Sequence, residues 1–278
     1  MTEALLAHAG AVRLGAFAAV AALMIGWEFA WPRRRRVVPG SRLRRWPSNF
    51  GITFLNGILA HLLIPLGAIG VAYTAERQGW GLLRLLSLPE WVDVVVAAVL
   101  LDLVIYFQHV LFHAVPTLWR LHRMHHVDLD LDVSSGGRFH TFEILLSALI
   151  KMAAVAALGA PPLAVLIFEV VLNLTAMFNH SNAYLPLGID RVLRWLVVTP
   201  DMHRVHHSVL RRETNSNFGF NLPWWDRIFG TYRAQPQAGH ADMVIGIEQF
   251  RELSDIRFDR MWLVPFREDT RIYPLNEE

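Results

Sequence analysis

The chain has 278 residues, 54% of them hydrophobic and only 18% charged, with a formal net charge of +2. That charged fraction falls short of the quarter usual in soluble domains, and the apolar excess lies in long runs, so an integral membrane protein is expected. The absence of cysteine excludes disulfides, iron–sulfur clusters and thiolate zinc sites, and the one basic block lies beside an apolar run, which reads as a membrane flank and not as a nucleic-acid site.

The first apolar run, about Gly10 to Trp31, lacks the basic n-region of a signal peptide and predicts a retained helix. Proline 32 and a block of seven arginines between Arg33 and Arg45 stop it. The segment from Arg33 to Pro47 reads as a cytoplasmic loop touching anionic lipid, which puts the N-terminus outside. A second run, about Phe50 to Tyr73, is long enough to cross, and Glu76 to Leu88 reads as interfacial. A third run from Pro89 towards Pro116 crosses back, delivering His109 and His113 to the cytoplasmic end with Asp102 and Tyr106 on nearly the same face. Trp119 to His140 is polar and histidine-rich. Phe142 to Phe178 is broken by Gly159-Ala160-Pro161-Pro162 into two short helices, a hairpin that ends at His180. Arg191 to Val198 is amphipathic, and the chain from Pro200 onward reads as a polar cap whose fold is obscure after Ala234. The expected fold is therefore all-α, with four to five membrane helices including the hairpin and a cytoplasmic histidine-rich helical cap. The expected regions are 1–87 (N-terminal helices and basic loop), 88–234 (catalytic) and 235–278 (C-terminal cytoplasmic tail), within one structural domain.

Ten of the thirteen histidines fall on the expected cytoplasmic side of this topology in spaced groups. They are His109-x3-His113, His122-x2-His125-His126, single His140 and His180, and His203-x2-His206-His207. On a helix, i,i+3 and i,i+4 histidines share a face while an adjacent one turns about 100° away, so one such motif can serve two metals. Eight nitrogens come from the three spaced groups, and His140 and His180 would bring ten, five per metal. Possible supports for the ligating rings are Asp102, Glu143, Asp201, Asn182 and Glu213, with Asp128 also near a cluster. His8 and His61 read as structural and His240 as solvated.

Two other functions fit less well. A metal transporter would place its polar groups along a path near the bilayer midplane. A zinc-dependent membrane hydrolase needs about three protein ligands.

The motifs His109-Val-Leu-Phe-His113, His122-Arg-Met-His-His126 and Pro200-Asp-Met-His-Arg-Val-His-His-Ser208 resemble the histidine boxes of the fatty acid hydroxylase / sterol desaturase superfamily. Glu213-Thr-Asn-Ser-Asn-Phe-Gly219, Trp225-Asp-Arg-Ile-Phe-Gly-Thr-Tyr232 and Phe178-Asn-His-Ser-Asn182 extend the similarity over about Leu88 to Tyr232. Some members carry a histidine four residues after the one matching His180. Tyr184 stands there in this chain, and His140 is the candidate to replace it. The resemblance implies two iron ions (zinc can substitute on purification), O2 as co-substrate, and hydroxylation or desaturation of a sterol, fatty acyl chain or related lipid drawn from the bilayer. It also implies a separate electron donor such as a ferredoxin, a cytochrome b5-like protein or a reductase, and an inner or plasma membrane location with the histidines on the cytoplasmic side.

Overall fold

A computed structural model describes residues 2–37 and 41–268. The chain is an all-helical membrane protein: the described residues hold no strand, only the isolated bridges Pro32–Ala183 and Ser208–Ile245. Five segments are long and apolar enough to cross a bilayer. A short α1 (Thr2–Ala7) leads into α2 (Ala9–Ala30), the first of them. The second segment, Arg42–Leu85, combines α3 (Ser41–Leu63) and α4 (Gly67–Gln78), interrupted around Pro65. The third is α5 (Glu90–Ala114), followed by the cap helix α6 (Pro116–His126). The hairpin is α7 (Thr141–Leu158) and α8 (Pro162–His180), then a short α9 (Leu187–Leu193) and α10 (Pro200–His206).

Small side chains let these helices approach closely, as packing within a membrane requires. Ala68 and Ala72 of α4, Ala97 of α5, and Ala164 with Val165 of α8 are buried in one cluster with Leu101, Val155 and Phe168. The hairpin turn is locked against the α4–α5 connection. A Cβ on Gly81 would lie 2.0 Å from the Gly159 nitrogen, and both glycines have positive φ.

The beginning of α3 departs from the expected loop. Helix starts at Ser41, so Arg42 to Pro47 form its first turns, with Pro47 inside the helix. Arg45 there is drawn inward by acids 83 and 87 residues along the chain. Arg45 is fully buried, its Nη2 2.6 Å from Asp128 and its Nη1 2.8 Å from Asp132. Arg36 reaches Asp132 at 2.7 Å, and Glu28 at the end of α2 lies 3.6–3.7 Å from Arg36 and Arg42. Much of the basic block thus closes an ion network under the cap rather than a lipid contact. Val38 to Gly40 of that expected loop lie outside the described residues.

The segment after Ala234 is also more than a solvated tail. Met261 and Val264 are buried against Ile52, Trp119 and Met124, and Arg123 donates to the carbonyl oxygens of Val264 and Arg267, both at 2.7 Å. Residues 269–278 of the expected tail lie outside the described residues.

Candidate metal centre

Nine histidines meet in two adjacent groups. His109, His113, His122, His126 and His206 form one, and His125, His180, His203 and His207 the other; within each group, one ring nitrogen per residue lies within 4.8 Å of all the rest. Each His-x-x-His-His motif is split between the groups by helical geometry. His122 and His126, one turn apart on α6, face the first group, and His125 turns to the second. At the end of α10, His203 and His207 face the second group while His206 turns to the first. Helix α5 supplies His109 and His113, and the last turn of α8 supplies His180. All nine are at least 94% buried.

The outer nitrogens settle the chemistry of the inner ones. The Nδ1 of His109 is 2.8 Å from the Phe218 carbonyl, that of His206 2.8 Å from Ser216 O, and that of His180 2.7 Å from Ala176 O. His125 Nδ1 faces Arg138 O at 3.2 Å, and His122 Nδ1 is 2.6 Å from the Glu143 carboxylate. A carbonyl or carboxylate oxygen only accepts, so each Nδ1 carries the proton and each neutral ring presents a bare Nε2. Yet His109 Nε2 is 3.1 Å from His122 Nε2, and His125 Nε2 is 3.0 Å from His180 Nε2. Two lone pairs face one another with no hydrogen to share, an arrangement a cation resolves. The Nε2 atoms of His113 and His206 and both ring nitrogens of His126 are buried without a hydrogen-bond partner. The donor set therefore fits two metal ions. Burial and the neighbouring imidazoles hold His125, His126, His203, His206 and His207 well below the ordinary histidine range, keeping the neutral form that ligation needs.

The remaining expected residues have other partners. His140 belongs to neither group: its Nδ1 accepts from Phe142 N at 3.2 Å, capping α7, and its ring packs on Trp262. Position 140 is the last before a helix that leads away from the centre, so the ring turns back to cap that helix, and the groups that could hold metal number five and four histidines. Glu143 is the expected acid that touches one of the nine clustered histidines. Asp102 and Glu213 act at one remove, on the loop beyond α10: Asp102 accepts from Trp225 Nε1 at 2.7 Å and Leu222 N at 3.2 Å, and Glu213 from Gln237 N. Asp201 pairs with Arg33 at 2.9 Å and with Arg204, and Asn182 bonds the Arg34 backbone at both its amide atoms. His240 is buried, not solvated, 3.6 Å from Asp201. His8 is exposed, and His61 lines a cavity described below. Asp128, the further acid near a cluster, serves Arg45.

Asp226 carries a role that spacing did not reveal. Its carboxylate accepts from Phe218 N at 2.7 Å, Gly219 N at 2.8 Å and Thr231 Oγ1 at 2.7 Å, fixing the loop whose Phe218 carbonyl orients His109. A Cβ on Gly219 would come within 2.6 Å of that carboxylate. Burial pushes the Asp226 carboxyl up to about 6.

A cavity of about 800 Å³ opens from the histidines into the helical region. His109, His122 and His125 stand at one end among Phe112, Phe139 and Phe220, and the walls beyond come from α2, α3, α5, α7 and α8.

The fatty acid hydroxylase family model matches residues 94–231, the stretch that holds all nine clustered histidines. The chain belongs to the fatty acid hydroxylase / sterol desaturase superfamily. Among relatives of this superfamily, an ornithine lipid hydroxylase of Rhizobium tropici is 29% identical over 73% of the chain and 64% of its own length. An alkylglycerol monooxygenase of Xenopus tropicalis is 28% identical over 66% of the chain and 41% of its own, and human cholesterol 25-hydroxylase 30% over 48% of each. The chain thus spans less than two thirds of these relatives' length. No solved structure matches it.

Proposed function

We propose that this protein is a membrane-bound, O2-dependent lipid oxygenase of the non-haem di-iron type, hydroxylating or desaturating a lipid from the bilayer. The observation that carries the reading is the pair of histidine groups with lone pairs facing inward at the end of an apolar cavity. His109, His113, His122, His126 and His206 would hold one ion, and His125, His180, His203 and His207 the other. The metal pair supplies redox activation of O2. Hydroxylation consumes one O2, two electrons and two protons for each C–H converted to C–OH, with water as the second product.

The chain's own residues do the rest. Phe218, Ser216, Arg138 and Ala176 carbonyls and Glu143 hold the rings in the tautomer that points Nε2 inward. Phe112, Phe139 and Phe220 exclude water and present an aliphatic chain to the metal end of the cavity. Electrons come from a separate ferredoxin, cytochrome b5-like protein or reductase, and the histidine end faces the cytoplasm. Nine nitrogen donors exceed what a zinc hydrolase needs, and their gathering at one end of the helices is unlike a transport path.

The test is to load the expressed chain anaerobically with iron and profile membrane lipids for +16 or −2 mass changes against His122→Ala. About two iron per chain with a lipid product abolished in the variant is the expected result. Well under two equivalents of any divalent metal, or identical lipid profiles, would overturn the reading.

A further inference from the structure

The far end of the cavity carries charge where apolar surface is expected. Arg13 of α2 lines its wall. The guanidinium lies 2.6 Å from Glu169 of α8, and Lys151 of α7 lies 2.6 Å from the other oxygen of the same carboxylate. All three sit within membrane-spanning segments. Glu169 is the only carboxylate paired with either base among the described residues, so the cluster holds two cations and one anion. A surplus charge in a low-dielectric span is costly unless a counter-ion meets it, and ionisable groups there generally serve a function. Lys151 does not line the cavity, whereas Arg13 does and is 39% exposed at its side chain. With Lys151 offsetting Glu169, the uncompensated positive charge faces the cavity.

The depth of this cluster is fixed by two antiparallel helices that agree. Glu169 precedes His180 by eleven residues of α8, about 16 Å. Lys151 follows Glu143, the partner of His122, by eight residues of α7, about 12 Å. The cavity between them is largely apolar, with Asn56, Gln108 and Asn173 among its lining, and continuous to His109 and His122.

We propose that the cavity binds an amphipathic lipid carrying a carboxylate or phosphate, with that anion on Arg13 and its aliphatic chain running to the histidines. Resting on the oxygenase reading above, this assigns the substrate class as an anionic lipid oxidised on its chain, on the order of a dozen ångströms or more from its charged group. Lys151 is a positioning residue: it acts through Glu169 on the charge of Arg13.

Binding is measured on the full chain in neutral detergent micelles at neutral pH, with hexadecanoate, dipalmitoyl phosphatidate and the uncharged hexadecanol as probes. The unmodified protein should prefer at least one anionic probe over hexadecanol by about tenfold or more. Preference for hexadecanoate alone identifies a free acid as the source of the anion, and preference for phosphatidate alone a phospholipid. Arg13→Gln should bring the preference to near parity. Lys151→Met, at a residue that does not line the cavity, should do the same, because Glu169 then neutralises Arg13. Glu169→Gln should strengthen the preference, a direction that a merely structural tie would not give. Equal binding of all probes by the unmodified protein, or an unchanged preference in all three variants, would overturn the proposal. Should one variant fail to fold, the sign of the change in the others decides. The readout needs neither metal nor turnover, so an absence of lipid oxidation with the preference intact would count against the oxygenase reading alone.

Discussion

Each of the nine buried imidazoles must be neutral to ligate; burial favours that form, and acceptors at Nδ1 fix the tautomer of His109, His122, His125, His180 and His206. Glu143→Gln keeps an acceptor for His122 Nδ1 but removes the charge, so metal affinity and turnover are expected to fall about 10-fold, with membrane insertion unchanged; titration of the metal-free protein with a divalent ion checks it. His140→Ala is expected to leave metal stoichiometry intact and to destabilise α7 by about 1 kcal/mol through its lost cap, with His140→Asn restoring stability. Loss of one metal equivalent in His140→Ala would restore it to the ligand set. A pH effect follows from the same burial. The five cap histidines titrate well below the ordinary value of 6.5 when folded, so the unfolded chain binds more protons as pH falls below about 6.5. Stability of the metal-free protein, full above that value, should decline towards pH 5, by up to about 1.4 kcal/mol per pH unit for each group. Thermal unfolding at pH 7.5 and 5.5 measures it, and equal midpoints would contradict the assignment. At this scale the clusters were legible because a helix imposes i,i+3 and i,i+4 spacing on ligands. The acceptors were mostly not, because backbone carbonyls such as Phe218 O and Arg138 O leave no mark in the residue types.

Helix ends tell a different story from helix middles. The crossings of α2, α5, α7 and α8 could be read from unbroken apolar runs and from Pro161-Pro162, since the bilayer and the missing proline N–H act locally. The start of α3 reads as loop because Pro47 and its charged and polar neighbours act locally, whereas what holds Arg45 is Asp128 and Asp132 far along the chain. Those acids also orient the short turn Val133–Gly137, whose Gly137 carbonyl accepts from Thr53 of α3. Arg45→Met would take the shared guanidinium from two buried carboxylates, leaving Asp128 with Arg138 and Asp132 with Arg36, and a loss of about 3 kcal/mol is expected, the low end for a broken buried pair. Chemical denaturation of Arg45→Met and of Arg45→Lys beside the unmodified protein provides the measurement. A loss below about 1 kcal/mol in Arg45→Met would show the network to be peripheral.

Across the whole molecule, the metal centre is enclosed by parts that the sequence presented as separate regions. The family region supplies the ligands, but its α6 is held from outside by the C-terminal segment: Met261 and Val264 pack beside Trp119 and Met124, and Arg123 bonds two carbonyls of that segment. Trp119 in turn lies 4.9 Å from His113 and 5.3 Å from His126, ring centre to ring centre. The segment was illegible because it is polar, short in its helices and without periodicity, and its few apolar residues gain meaning only against α3 and α6. Ending the chain after Ala234 would expose this face of α6 and leave Arg123 without those acceptors. The membrane helices, whose core of Ala72, Ala97 and Ala164 lies elsewhere, should still assemble. The expected outcome is a membrane-inserted chain that holds less metal in the His109 group than in the His125 group and is cleaved by protease within Pro116–His126. Full metal content with protease resistance equal to the intact chain would show that the C-terminal segment is dispensable to the centre, and that α6 keeps its ligands in place unaided.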